Sequence, residues 1–272
     1  MSTQTQTRPV GEPTNKPELV RKDNWWSGTL TFFVVFSLFG MWVTFRAFQN
    51  NFYYTLNNGL TSHYLSPLYS PTFQAPFKLL GYSISPALWI LVFPLAFRLS
   101  CYYYRKQIYR AYIADPAGCA VPEPAFLAKL RFRKYTGERT FPLFAQNFHR
   151  YAFYAAAIFV IILWKDAFDA LWFGPEGNSH LGFGVGTLIM FTNVILLTLY
   201  TFSCHSWRHL VGGGLDCYSC SVMNKTRHGL WNKISFLNER HGVWAMASLV
   251  SVGLTDVYIY LVCSGMVKDL HS

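Results

Sequence analysis

Charge is scarce in this chain. Of its 272 residues only 13% are Asp, Glu, Lys or Arg, where a soluble domain carries ~25%. That leaves too little to solvate a globular surface. The apolar residues, 52% of the total, run in long blocks, which points to an integral membrane protein rather than a soluble one with a large core. Acidic side chains are scarcer still: 13 Asp and Glu stand against 23 Lys and Arg, a formal charge of +10. In a membrane protein such an excess reports topology and contact with anionic lipid or an acidic partner, so nucleic-acid binding is not expected. A signal-peptide layout is also missing, because no short basic start runs directly into an apolar stretch with a small-residue cleavage site. The polar stretch Met1–Asp23 reads instead as a flexible cytoplasmic tail able to order on a partner. Solenoid repeats, low-complexity runs in the core and a second domain are all absent. The expected organisation is a tail over 1–24 and a single membrane domain over 25–272.

A spanning helix needs ~20 mostly apolar residues. Five segments qualify: Thr29–Gln49, Ile84–Tyr104, Phe148–Leu171, Phe183–Ser203 and Val243–Gly265. Trp25, Trp26 and the run Tyr102 to Tyr104 supply interfacial aromatics. The expected fold is an all-α bundle of five transmembrane helices. Lys and Arg crowd the tail and the segments 105–139 and 208–240, and few lie on the other side; this orients the N-terminus to the cytoplasm and the C-terminus outside. The outer loop Asn50–Ser83, aromatic and punctuated by Pro67 and Pro71, is expected to pack as a lid over the helix ends.

Metal-grade ligands gather where the fourth span ends: Cys204, His205 and His209, then Gly212 to Gly214, then Cys217 and Cys220. On this topology Cys101, Cys119, Cys204, Cys217 and Cys220 fall at the cytoplasmic side, where a reducing medium disfavours disulfides and a Cys-x2-Cys favours metal, an iron–sulfur cluster or redox exchange. No thioredoxin-like βαβ pattern surrounds the pair. His205 and His209, at i and i+4, share a helix face, and the three glycines allow the chain to turn back. Two His and two Cys suit tetrahedral zinc or a Rieske-type [2Fe–2S] cluster equally.

Histidines are missing from the middle of every span, which disfavours a two-haem ladder. One haem b remains an alternative, with His149 at the start of span three facing His205 or His209. Among intramembrane charges, which are costly unless paired or functional, Arg46 and Asp256 lie at comparable depth and are expected to pair.

Several long stretches are family-like: Phe97 to Lys106 (FRLSCYYYRK), Gln146 to Tyr151 (QNFHRY), Tyr200 to Gly213 (YTFSCHSWRHLVGG), and Leu237 to His241 (LNERH) with Leu254 to Tyr258 (LTDVY). They resemble the membrane-anchor subunit of bacterial succinate dehydrogenases, most of all the five-helix anchors of the mycobacterial type-one enzyme. The resemblance implies a multi-pass protein of the bacterial cytoplasmic (inner) membrane. Such a protein docks a flavoprotein and an iron–sulfur subunit and passes electrons to menaquinone or ubiquinone, and it is not catalytic alone. It further implies a Rieske-type [2Fe–2S] centre in place of haem. Carried over by position, His205, His209, Cys217 and Cys220 are the first-choice ligands, with Cys204, Cys101 and His228 as substitutes. Quinone is expected near Ser206, Trp207, Arg208, Arg240 and Trp244, with His241 as proton donor because imidazole titrates near neutral pH. A zinc-stapled membrane scaffold without redox work is the remaining alternative.

Overall fold

The computed structural model describes residues 23–72, 77–79, 82–114, 116, 118, 121, 143–175 and 178–271. Most of the tail, Cys119 and the basic stretch 122–142 lie outside the described residues. Helix α1 (Trp25–Gln49) is followed by α2 (Pro86–Ile90), α3 (Val92–Ser100), α4 (Tyr102–Ile108), α5 (His149–Asp169), α6 (Val185–Phe202), α7 (His205–Gly212), α8 (Val222–Glu239) and α9 (His241–Cys263). Four described segments are long and apolar enough to cross a membrane: α1, Gln146–Asp169, α6 and α9. A fifth candidate is broken: Pro86–Ser100 and Tyr102–Ile113 meet at 79°.

The expected second span, Ile84–Tyr104, therefore differs at both ends. Ile84 lies in a short strand, β2 (Tyr82–Ile84), paired antiparallel with β1 (Phe77–Leu79). The helix starts at Pro86, whose ring presets φ for a first helical residue and keeps Ser85 extended (φ −57°, ψ 129°). At the other end the chain is extended at Cys101. A second small hairpin joins β3 (Trp172–Phe173) to β4 (His180–Leu181). Both hairpins sit in connections and leave the architecture helical.

Helices α5, α6 and α9 form the centre of the bundle, with α3 against α5 and α1 at the periphery. Only Phe32, Arg46 and Ala47 of α1 are buried, while Leu38, Met41 and Phe48 point outward; outward apolar side chains are what a lipid-facing helix carries. At one end of the bundle the segment 50–72 folds inward, burying Tyr64, Leu65, Leu68 and Tyr69. Tyr64 closes against α6 so tightly that a Cβ on Gly186 would lie 2.3 Å from its ring. At the opposite end α7 and α8 form a helical hairpin. Ser221 caps α8 by accepting from Asn224 N at 3.1 Å. Arg227 closes α7 by donating to the carbonyls of Val211 and Gly213, each at 2.8 Å.

Candidate metal centre

Four helix ends meet on the α7–α8 side, and each delivers one chemistry-bearing side chain. Between α3 and α4, Cys101 is extended (φ −70°, ψ 130°). Between α6 and α7, Cys204 is extended likewise (φ −67°, ψ 145°) and caps α7, its Sγ accepting from Ser206 N at 3.4 Å. His149 opens α5 and His241 opens α9. Both thiols are interior, 3% and 1% exposed, in one cluster with Phe97, Tyr104, Phe153 and Tyr200.

The contacts are reciprocal. His149 Nδ1 lies 2.9 Å from Ser100 Oγ and its Nε2 2.9 Å from Cys204 Sγ. His241 Nδ1 lies 2.7 Å from Ser203 Oγ and its Nε2 3.4 Å from Cys101 Sγ. Each imidazole is braced by the serine of one Ser-Cys pair and aimed at the cysteine of the other. Phe97 stacks on His149 at 4.9 Å and Tyr200 on His241 at 5.2 Å, which fixes both ring planes. Cys101 and Cys204 are within electrostatic reach of one another, as are His149 and His241. Among the described residues no three His, Cys, Asp or Glu side chains converge on a single ion position. The arrangement is two Cys–His pairs side by side. Burial pushes the Cys204 thiol up to about 11, so at neutral pH it is a protonated donor until an electropositive centre binds it.

This donor set fits a [2Fe–2S] group of the two-Cys, two-His kind. The serines occupy the far ring nitrogens, the bracing by which ligating imidazoles are ordinarily oriented, and leave both Nε2 atoms directed at the thiols.

The first-choice set is not assembled. Cys217 and Cys220 are joined to each other in a disulfide in the turn between α7 and α8, contrary to the expectation that cysteines there stay unpaired. His205 and His209 are exposed on α7 and lie against one another, ring centroids 6.4 Å apart. His228 is held between Tyr218 (4.5 Å) and Trp231 (5.9 Å). The physical reason is α8. Its Trp231 packs on the glycine turn so closely that a Cβ on Gly212 would lie 2.2 Å from the indole, and the hairpin closes on that side chain.

The residues expected around quinone have varied partners, and Trp207 and Trp244 both pack on the cluster that holds Cys101 and Cys204. Trp207 stacks on Phe153 at 5.8 Å and meets Phe202 edge-on at 5.5 Å. Arg208 donates to Ser235 at 2.8 Å and covers Trp231 at 4.5 Å. Ser206 supplies the backbone N–H to Cys204, and Trp244 has its Nε1 buried without a hydrogen-bond partner. Arg240 lines an open groove of about 600 Å³ with Tyr103, Gly242 and Met246. His241 has both ring nitrogens engaged, by Ser203 Oγ and Cys101 Sγ. A second, mostly apolar recess of about 380 Å³ lies between the helices and reaches Arg98 and Tyr200.

At the other end, Arg46 Nε donates to Asp256 Oδ2 at 2.9 Å, both side chains fully buried. Trp42 Nε1 (2.8 Å) and Ser66 Oγ complete the carboxylate, and the carbonyls of Asn51 (2.8 Å) and Phe52 (3.1 Å) complete the guanidinium. Every group is satisfied, which makes this a structural ion pair.

Residues 27–265 match the family described as actinobacterial succinate dehydrogenase subunit SdhC. Among solved structures the chain is similar to one from the Mycobacterium smegmatis Sdh1 complex in the apo form, with 39% identity over 96% of each chain and a TM-score of 0.78. No curated protein sequence matches. With a family match over most of the chain and a fold likeness at this identity, the protein belongs to the actinobacterial SdhC family, the membrane-anchor subunits of succinate dehydrogenase.

Proposed function

We propose that the chain anchors a succinate:quinone oxidoreductase and holds a Rieske-type [2Fe–2S] centre on Cys101, Cys204, His149 and His241. The observation that carries this reading is the reciprocal bracing: two Ser-Cys pairs and two histidines from four helix ends, each histidine spanning both pairs. When bound, such a group supplies a one-electron relay between a soluble iron–sulfur donor and the membrane. The chain's own work is to position and insulate it. Ser100 and Ser203 hold the imidazoles, Phe97 and Tyr200 fix their planes, and Phe153 with Tyr104 keeps water from the thiols.

The remaining parts follow from the same geometry. The excess of Lys and Arg at this end supports a five-span topology with the N-terminus and the α7–α8 hairpin cytoplasmic and the C-terminus outside. The flavoprotein and iron–sulfur subunits dock on that face. Quinone approaches through the groove at Tyr103 and Arg240, next to His241 in the chain, where the guanidinium and phenol offer donors to a quinone carbonyl. The haem alternative is disfavoured by His149, already held by Ser100 and Cys204, and by the exposure of His205 and His209. The zinc alternative is disfavoured because, among the described residues, no three ligands converge.

Electron paramagnetic resonance of the reduced, purified complex, with iron and zinc analysis, tests the assignment. A [2Fe–2S] signal beyond those of the partner subunits is expected. It should vanish in Cys101→Ser and in Cys204→Ser and persist in the double variant Cys217→Ser, Cys220→Ser. A signal surviving both single replacements, zinc in place of iron, or an intense haem Soret band would each overturn it.

A further inference from the structure

Arg98 is a buried cation without an anion. It is 8% exposed, and its guanidinium meets neutral groups: the Tyr104 hydroxyl, the Ala245 carbonyl at 3.2 Å and Ser248 Oγ at 3.2 Å. Its remaining contacts are the ring faces of Tyr104 (5.4 Å) and Tyr200 (4.8 Å). Among the described residues no carboxylate pairs with it, whereas the equally buried Arg46 has Asp256. An uncompensated interior charge is costly. Arg98 stands one helical turn before Cys101 and is in electrostatic reach of Cys101 and His241. Beside it the Tyr200 hydroxyl is buried with no hydrogen-bond partner, and it lies against Cys101. A cation without a counter-anion and a buried hydroxyl thus lie within reach of the same thiol.

We infer that Arg98 and the Tyr200 hydroxyl are positioning groups of the cluster site: Arg98 supplies the counter-charge for its two thiolates, Tyr200 a hydrogen bond to the Cys101 sulfur, and together they hold its midpoint potential up. The inference rests on the ligand assignment proposed above. Adding one electron to the centre adds one negative charge, which a fixed cation and a sulfur-directed donor both stabilise; net charge and hydrogen bonds to sulfur are among the terms that set iron–sulfur potentials. A guanidinium remains charged throughout the physiological pH range, so its contribution is constant with pH.

The test is a redox titration of the assembled complex, following the anchor's own [2Fe–2S] signal by paramagnetic resonance in the absence of quinone. Arg98→Gln is expected to shift the reduction equilibrium about tenfold or more against the reduced form, a fall of about 59 mV for one electron. Arg98→Lys, which keeps the charge, should recover most of it. Tyr200→Phe keeps the ring beneath Arg98 and stacked on His241, and should lower the potential by a smaller, several-fold step. If Arg98→Gln does not retain its cluster, Tyr200→Phe and Arg98→Lys carry the decision. Wild-type potential in Tyr200→Phe, or a loss in Arg98→Lys equal to that in Arg98→Gln, would overturn the inference. Absence of the signal from the wild-type complex would instead overturn the ligand assignment.

Discussion

At the scale of single residues, two arginines show how one side chain is made tolerable in two ways. Arg46 is neutralised and its hydrogen-bonding capacity used by Asp256, Gln49 and two carbonyls. Removing the carboxylate leaves a fully buried guanidinium uncompensated, and breaking such a pair from one side ordinarily costs about 3–5 kcal/mol. Asp256→Asn should therefore lower the melting temperature of the detergent-solubilised complex by many degrees, while the signal of the proposed cluster at the far end of the bundle survives in the folded fraction. An unchanged melt would mean that the pair is not structural. The pairing was legible in the sequence, because two opposite charges at equal depth in apolar helices have few other options. The proposed cluster site was less so. Cys101 and Cys204 stood as substitutes, His149 as a haem ligand and His241 as a proton donor, because close spacing draws attention to Cys217 and Cys220. A site drawn from four separated helix ends has no local spacing to read. The available signal was Ser-Cys repeated where two apolar spans end, with a histidine where two others begin.

At the scale of elements, the apolar runs forecast α1, α5, α6 and α9 because about twenty mostly apolar residues have one stable form in a bilayer. The break at Cys101 escaped notice for an equally physical reason: Leu99 to Tyr103 contains neither Pro nor Gly, and the bend comes from tertiary packing. Close helix approaches make a sharper prediction. Gly186 of α6 lies under Tyr64, which is itself fully buried and hydrogen-bonded to Asp269 at 2.6 Å. Gly186→Ala should lower stability by about 1–3 kcal/mol through overpacking. Gly28→Ala on α1, where nothing lies within 4 Å, should be neutral or stabilising, since Ala exceeds Gly by up to ~1 kcal/mol in a helix. Parallel thermal melts of the two variants check this; equal effects would contradict the packing described.

At the scale of the whole molecule, composition, charge asymmetry and a multi-span helical bundle were readable, and the α7–α8 hairpin was not, since its segment is polar and too short of apolar residues to stand out. That hairpin displays Lys225 and Lys233 to solvent on the face proposed to receive the soluble subunits. Contacts between exposed charges weaken as salt shortens the screening length, ~10 Å at 0.1 M. The double variant Lys225→Glu, Lys233→Glu should release the partner subunits at lower salt than wild type in size-exclusion chromatography. Identical release profiles would place docking elsewhere.

The four proposed ligands also impose an order on biosynthesis. Cys101, His149, Cys204 and His241 open or close different helices, and the last of them begins α9. A nascent chain lacks that histidine until synthesis reaches the start of α9, so the site cannot be complete before the chain has come to its last span. A filled site would then certify that synthesis has reached the last span, and a chain ending before α9 would offer the cell's iron–sulfur delivery machinery an incomplete set of ligands.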